Sequence, residues 1–317
     1  MQIRVIKIKK QFLALAAALV ITVIWGSSFV VVKNSLGIIG PFAFLAGRFF
    51  LATLALALFC GRRLAQTSRR MVLDSFIVGL CLFAGYAFQT QALPLTTASN
   101  TALITTFYII LVPVLGLLFG HRLSWAQLAI AVAAVFGLAI LIVNEQFQIN
   151  PGDVLVLLCA LAYTLHFLFL DRYTRIYSAL LFTFWQVVFC GLLSLAAALI
   201  AETLPAQMPF NLLLSLVYCG LLATALGFYV QTKTQQILSP TQASVAFSSE
   251  AVFGAFFGWL LLEEIFSPRQ ALGALLLLLS LLAIILLPWA QDKYGWEGWF
   301  FHGFALKRKK GKMKNEL

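Results

Sequence analysis

SPTQASVAFSSEAVFGAFFGWLLLEE, residues Ser239–Glu264, decides how the rest of the chain is read. It is long and apolar enough to cross a bilayer, yet Glu250 stands about ten residues in from its first end. At 1.5 Å per residue that is roughly 15 Å deep, near the bilayer midplane. A carboxylate there costs at least ~2.5 kcal/mol on insertion scales, so it is expected to face protein or a water-filled cavity and to have a partner. Ser244, Ser248, Ser249, Gly254 and Gly258 share the segment, and small residues let neighbouring helices approach closely.

Composition extends this reading to the whole chain. The 317 residues are 62% hydrophobic and 10% charged, with a mean hydropathy of +0.97. No soluble domain hides that much apolar surface, so lipid is the required solvent. A net charge of +11 would suggest nucleic acid in a soluble protein. Here the basic residues sit mostly in short loops and tails, so membrane topology explains them and no nucleic-acid partner is expected. Cys60, Cys81, Cys159, Cys190 and Cys219 are dispersed among apolar segments and read as small buried hydrophobes. His121, His166 and His302 stand on separate elements, and the chain has no HExxH, CxxC or Gly-rich phosphate loop. No metal, cofactor or enzymatic chemistry is expected.

Apolar runs long enough to span occupy about 11–33, 38–60, 71–93, 96–120, 123–143, 151–171, 179–201, 210–236, 239–262 and 268–288. The first lacks a small-residue cleavage site and reads as a retained span, not a signal peptide. Pro41, Pro151, Pro209, Pro240 and Pro268 fall at helix starts, where a missing N–H is harmless. Pro113 falls inside the fourth run and is expected to kink it. With the N-terminus inside, 19 Lys and Arg fall on the cytoplasmic side and only Lys33 and Arg269 on the other. That asymmetry puts both termini in the cytoplasm of a multi-pass protein of the cell (inner) membrane.

The chain also repeats itself. GYAFQTQ at Gly85–Gln91 matches GFYVQTK at Gly227–Lys233, an offset of 142, and LTTASNTA from Leu95 answers LSPTQASVA from Leu238. Each copy holds five helices, and an odd number forces the second copy upside down, a plan common in secondary transporters. The expected organisation is a basic N-tail (1–10), a first repeat (11–143), a second repeat (151–288) and an aromatic, basic cytoplasmic C-tail (289–317). The tail, with Trp289, Trp296, Trp299 and the Lys307–Lys314 cluster, suits the headgroup interface and anionic lipid.

IWGSSFVVVK (Ile24–Lys33), PFAFLAGRFF (Pro41–Phe50) and ALPLTTASNTALITTFYIILVP (Ala92–Pro113) together resemble the EamA family of the drug/metabolite transporter superfamily. The second half agrees, and the likeness covers about residues 12–288. The resemblance implies an all-α integral membrane protein: ten transmembrane helices as two inverted five-helix repeats around a central cavity. Helices one, three, four, six, eight and nine would wall that cavity, and the substrate would be a small organic metabolite for export, such as an amino acid or toxic analogue. The family usually places proline after the glutamate of helix nine, whereas Ala251 stands here.

Several residues are candidates for the wall. Glu250 suits proton coupling or an amine, with a structural carboxylate as the bland alternative. Arg48 matches its depth on the second helix and is the candidate for a structural ion pair with it. Gln89 and Gln231 recur on helices three and eight, with Tyr86 and Tyr229 near them; amides and phenols suit a polar solute or helix–helix bonds. Trp25 and Tyr163 hold matching places in helices one and six and could stack a ring or amine, with His166 beside this face. Thr101, Thr105 and Tyr108 form a stripe on helix four that would donate to solute or bond back to the preceding turn. Glu263 and Glu264 are expected to be solvated, and Lys233 to snorkel. Gly273 and Ala274 offer a small-residue face for a homodimer. A secondary carrier is the reading these features favour; an intramembrane enzyme or lipid-handling protein using the same cavity is the alternative.

Overall fold

The fold was described from a computed structural model, which covers residues 2–120, 123–142, 149–203, 207–294 and 300–301. Arg122, Trp296, Trp299 and the Lys307–Lys314 cluster lie outside the described residues. The chain is an all-helical, multi-pass membrane protein of ten spans. Eight are long apolar helices: Lys10–Ser35, Pro41–Gln66, Arg69–Ala92, Ala98–Phe119, Pro151–Thr174, Ala179–Ala201, Phe210–Gln235 and Pro240–Leu262. The fifth, Trp125–Ile142, and the tenth, Pro268–Tyr294, complete the set. They are called here the first to tenth spans in chain order.

Local signals fix the starts. Pro41, Pro151 and Pro240 sit in the first turns of their helices. Ser239 and Gln242 form a reciprocal capping box ahead of the ninth span, satisfying two orphan backbone donors. Two ends differ from expectation. The first helix begins at Gln2, within the basic stretch expected to be a tail, because Lys and Arg are good helix formers and the apolar span behind them supplies the nucleus. The tenth continues through Pro288 to Tyr294.

Helix pairing follows a two-fold exchange of the halves. The second span packs on the seventh, the fifth on the tenth and the fourth on the ninth, each pair being its own image. Contact of the first with the ninth is answered by that of the sixth with the fourth, and the third with the sixth by the eighth with the first. Without a hydrophobic drive between helices in lipid, close backbone approach supplies the packing. A Cβ on Gly26 would lie 2.8 Å from the backbone nitrogen of Gly254, where the first and ninth spans cross. A Cβ on Gly273 would lie 2.6 Å from Leu141 N, where the tenth span meets the fifth. Gly273 and the buried Ala274 therefore pack within the chain, and the face expected to serve a homodimer is already covered.

The Lys33 end of the bundle is tied by carboxylates that cap other helices. Glu202, following the seventh span, accepts from Phe42 N and Ala43 N, both at 2.8 Å. Glu264, following the ninth, accepts from Ala98 N (2.8 Å), Ser99 N (2.9 Å) and Ser99 Oγ (2.8 Å) at the start of the fourth. Both place a negative charge at a helix N-terminus, where unpaired N–H groups favour it.

Candidate functional site

The centre of the bundle is built on two interrupted helices. The fourth span is helical over Ala98–Thr105 and again over Tyr108–Gly116; the ninth over Pro240–Phe247 and again over Glu250–Leu262. The breaks fall at equivalent positions, and a hydroxyl sits at each. Thr106 Oγ1 donates to Leu103 O (2.8 Å) and Ser248 Oγ to Val245 O (2.7 Å). Such back-bonding competes with the helical ladder and bends it. Around the breaks the backbone shortens to three-residue bonds, Ile109 N to Thr106 O and Ala251 N to Ser248 O, each 3.0 Å. Pro113 lies inside Tyr108–Gly116, past this interruption. The ninth span breaks although alanine, not proline, follows Glu250.

Tyr108 and Glu250 start the second segments of the two spans, and the Tyr108 hydroxyl donates to Glu250 Oε1 at 3.1 Å. Both are buried, beside a cavity of about 40 Å³ near the middle of the bundle. That volume takes water but not a metabolite. Its walls come from the first, third, fourth, sixth, eighth and ninth spans, the six that the sequence resemblance implied. Trp25, Tyr86, Gln89, Tyr108, Tyr163, His166, Gln231 and Glu250 all face it.

Each wall residue is held in a specific way. Trp25 Nε1 donates to Ala223 O (2.7 Å), and its ring lies 5.6 Å from Phe228 and 5.1 Å from Phe247. Ala223 belongs to a π-helical stretch, Tyr218–Leu226, whose wider turn frees carbonyls for side chains. Gln89 Nε2 donates to Thr105 Oγ1 (3.1 Å), and Gln89 Oε1 accepts from Tyr163 (3.4 Å). His166 pairs through Nε2 with Gln186 Oε1 at 2.9 Å. Gln231 is 2% exposed, and its side-chain oxygen has no hydrogen-bond partner among the described residues.

Four expected placements differ. Tyr229 is not on the wall; Phe228 is, because it lies three residues from Gln231 and shares its face, whereas Tyr229 lies two away. The repeat match itself set Phe228 against Tyr86, a signal that was available in the sequence. Thr101 is fully buried and bonds back to Thr97 O (2.8 Å), and Thr105 does not line the cavity but accepts from Gln89. Arg48 makes no ion pair with Glu250. Its guanidinium is buried behind Tyr86, donating to Thr224 Oγ1 (3.0 Å), Tyr86 Oη (3.4 Å) and Cys219 O (3.5 Å), and lies 4.7 Å from the Tyr86 ring centroid. Neutral acceptors and a ring face thus replace the expected carboxylate.

Glu264 also departs from expectation. Its side chain is 11% exposed and accepts from Lys33 Nζ at 3.0 Å in addition to the helix cap. Burial pushes its carboxyl up, but the Ser99 and Ala98 amides, the Ser99 hydroxyl and Lys33 outweigh this and hold it below the ordinary glutamate value. Lys33 donates as well to Thr96 O (2.9 Å), so one carboxylate joins the first, fourth and ninth spans above the cavity. No sequence motif marked this cluster; it exists only through the fold.

The model of the EamA-like transporter family matches residues 12–143 and 150–286. A protein of Archaeoglobus fulgidus, named an uncharacterized transporter, is 32% identical over 88% of this chain and 87% of its own length. The transporter YoaV of Bacillus subtilis is 25% identical over 81% of this chain and 91% of its own length. A protein of Escherichia coli named a probable amino-acid metabolite efflux pump is 28% identical over 83% and 92%. A solved crystal structure superposes with a TM-score of 0.64 at 19% identity, covering 86% of this chain and 96% of the other, a likeness of fold.

Proposed function

The chain belongs to the EamA-like transporter family, and from that premise we propose that it exports a small organic metabolite, an amino acid or related compound, by alternating access. Membership of a transporter family removes the intramembrane-enzyme reading. One observation carries the proposal: Glu250, mid-span in a wall of aromatic and amide side chains, has Tyr108 as its hydrogen-bond donor and, among the described residues, no cation paired with it. An intramembrane carboxylate with no permanent counter-charge can alternate between ionised and neutral forms. We assign Glu250 that exchange, coupling solute export to an inward proton gradient.

The Glu264 cluster supports a gating role for the Lys33 end. It ties three of the six wall-forming spans, so solute can pass there only when Glu264 leaves the fourth span. The small cavity then corresponds to a contracted state between the two open ones. The distribution of Lys and Arg supports a topology with both termini in the cytoplasm. The relative from Escherichia coli, by its name, favours amino acids and their derivatives as cargo.

The test is counterflow and pH-gradient-driven flux in proteoliposomes holding the full chain. Glu250→Gln is expected to abolish the acceleration by a pH gradient while leaving the protein folded. Unchanged gradient-driven flux in that variant rejects the coupling role. Tags on the two ends that label from opposite sides of the membrane reject the topology.

A further inference from the structure

We infer that the central cavity recognises a protonated amine in preference to a carboxylate. The inference rests on reading this cavity as the substrate site, and it adds the charge and donor character of the cargo. Open acceptors carry the argument. Glu250 receives one bond, from Tyr108 to Oε1, and no donor among the described residues reaches its other oxygen. Gln231, 2% exposed and on the wall, has an unpartnered carbonyl oxygen. A buried acceptor left unmade costs about 1–3 kcal/mol, so a ligand that brings N–H groups is favoured there.

Several donors of the wall, by contrast, are engaged within the protein. The Trp25 indole bonds Ala223 O, Tyr108 bonds Glu250, Tyr163 bonds Gln89, and Ser28 Oγ bonds Trp25 O at 2.7 Å. Arg48, the cation that matches this depth among the described residues, is turned to Thr224, Cys219 and Tyr86 and is not on the wall. A carboxylate entering the cavity would meet Glu250 without a compensating charge. An ammonium would meet that same carboxylate, an amide oxygen and the faces of several aromatic rings, which attract cations. An amino acid would bind through its amine end, with its acid end held less well than the same molecule's uncharged or amine-only analogue.

Isothermal titration of the full chain in lipid nanodiscs against three matched probes tests this: 2-phenylethylamine, phenylalanine and 3-phenylpropanoate. Affinity is expected to fall in that order. Glu250→Gln should weaken the amine by at least about tenfold and leave the carboxylate probe no weaker, since a charge-assisted bond is lost. Should that variant not fold, Gln231→Leu should weaken the amine about threefold to tenfold. Equal or tighter binding of 3-phenylpropanoate, no binding of the amine, or undiminished amine affinity in a folded variant each overturns the inference. Parallel flux measurements separate the two readings. A chain that moves solute but prefers the carboxylate keeps the carrier and loses the amine site; a chain that binds the amine but moves nothing does the reverse.

Discussion

Tyr108 and Glu250 are 142 residues apart, the offset of the internal repeat, and they are hydrogen bonded to each other at 3.1 Å. Equivalent positions of the two halves therefore meet in the middle of the protein. The first half contributes a neutral donor and the second an ionisable acceptor. An ancestral symmetry of backbone thus carries an asymmetric pair of side chains, and the same offset relates Thr106 to Ser248, whose hydroxyls bend the two helices ahead of the pair. The arrangement suits a site that must be reached from both sides in turn, since each half-helix start is the image of the other.

Replacing Tyr108 by Phe removes the donor while keeping the ring against Phe167, 5.0 Å away. A hydrogen bond to an ionised group contributes about 1.5–3 kcal/mol. Flux in proteoliposomes is expected to fall by about tenfold to a hundredfold while its dependence on a pH gradient persists. Loss of that dependence would place the coupling group at Tyr108 and not at Glu250.

The Glu264 cap gives a pH-dependent contribution to stability. Its carboxyl is held below the ordinary glutamate value of 4.5, so the folded state gains stability above the unfolded value and loses it as pH falls through the folded one. Thermal melting is expected to drop below about pH 4.5 in the native chain and to drop less in Glu264→Gln. At neutral pH, Glu264→Ala should cost about 1–3 kcal/mol, because it leaves the Ala98 and Ser99 amides without their acceptor.

Close crossings of spans set the next expectation. Gly26→Ala should destabilise by about 1–3 kcal/mol, because its new methyl would overlap the backbone of the ninth span. Gly273→Ala should do likewise against the fifth. Gly37→Ala, whose nearest neighbour would be 3.8 Å away, is the control and should be close to neutral. Melting temperatures of the purified variants decide it; equal effects at all three sites would contradict the packing.

Arg48 and Glu250 share a depth but have separate partners. A double-mutant cycle of Arg48→Met and Glu250→Gln, read by melting, should give a coupling within about 0.5 kcal/mol, the range for sites that do not touch. A coupling several times larger would restore the ion pair that depth alone suggested.

Much of this protein was legible before any coordinate. Hydropathy along the chain set the ten spans, because a bilayer imposes one length on every crossing. The repeated Gly85–Gln91 and Gly227–Lys233 segments gave the two halves, and the position of Glu250 within its span gave its depth. These are properties of distance along the chain. What faces what was decided only by packing. Lipid and protein interior are alike in polarity, so an apolar stripe does not tell a membrane helix which side to turn inward. Hence Phe228 and not Tyr229 reached the wall, Gly273 was used against Leu141, Arg48 found Thr224 in place of a carboxylate, and Glu264 left water to hold three spans together.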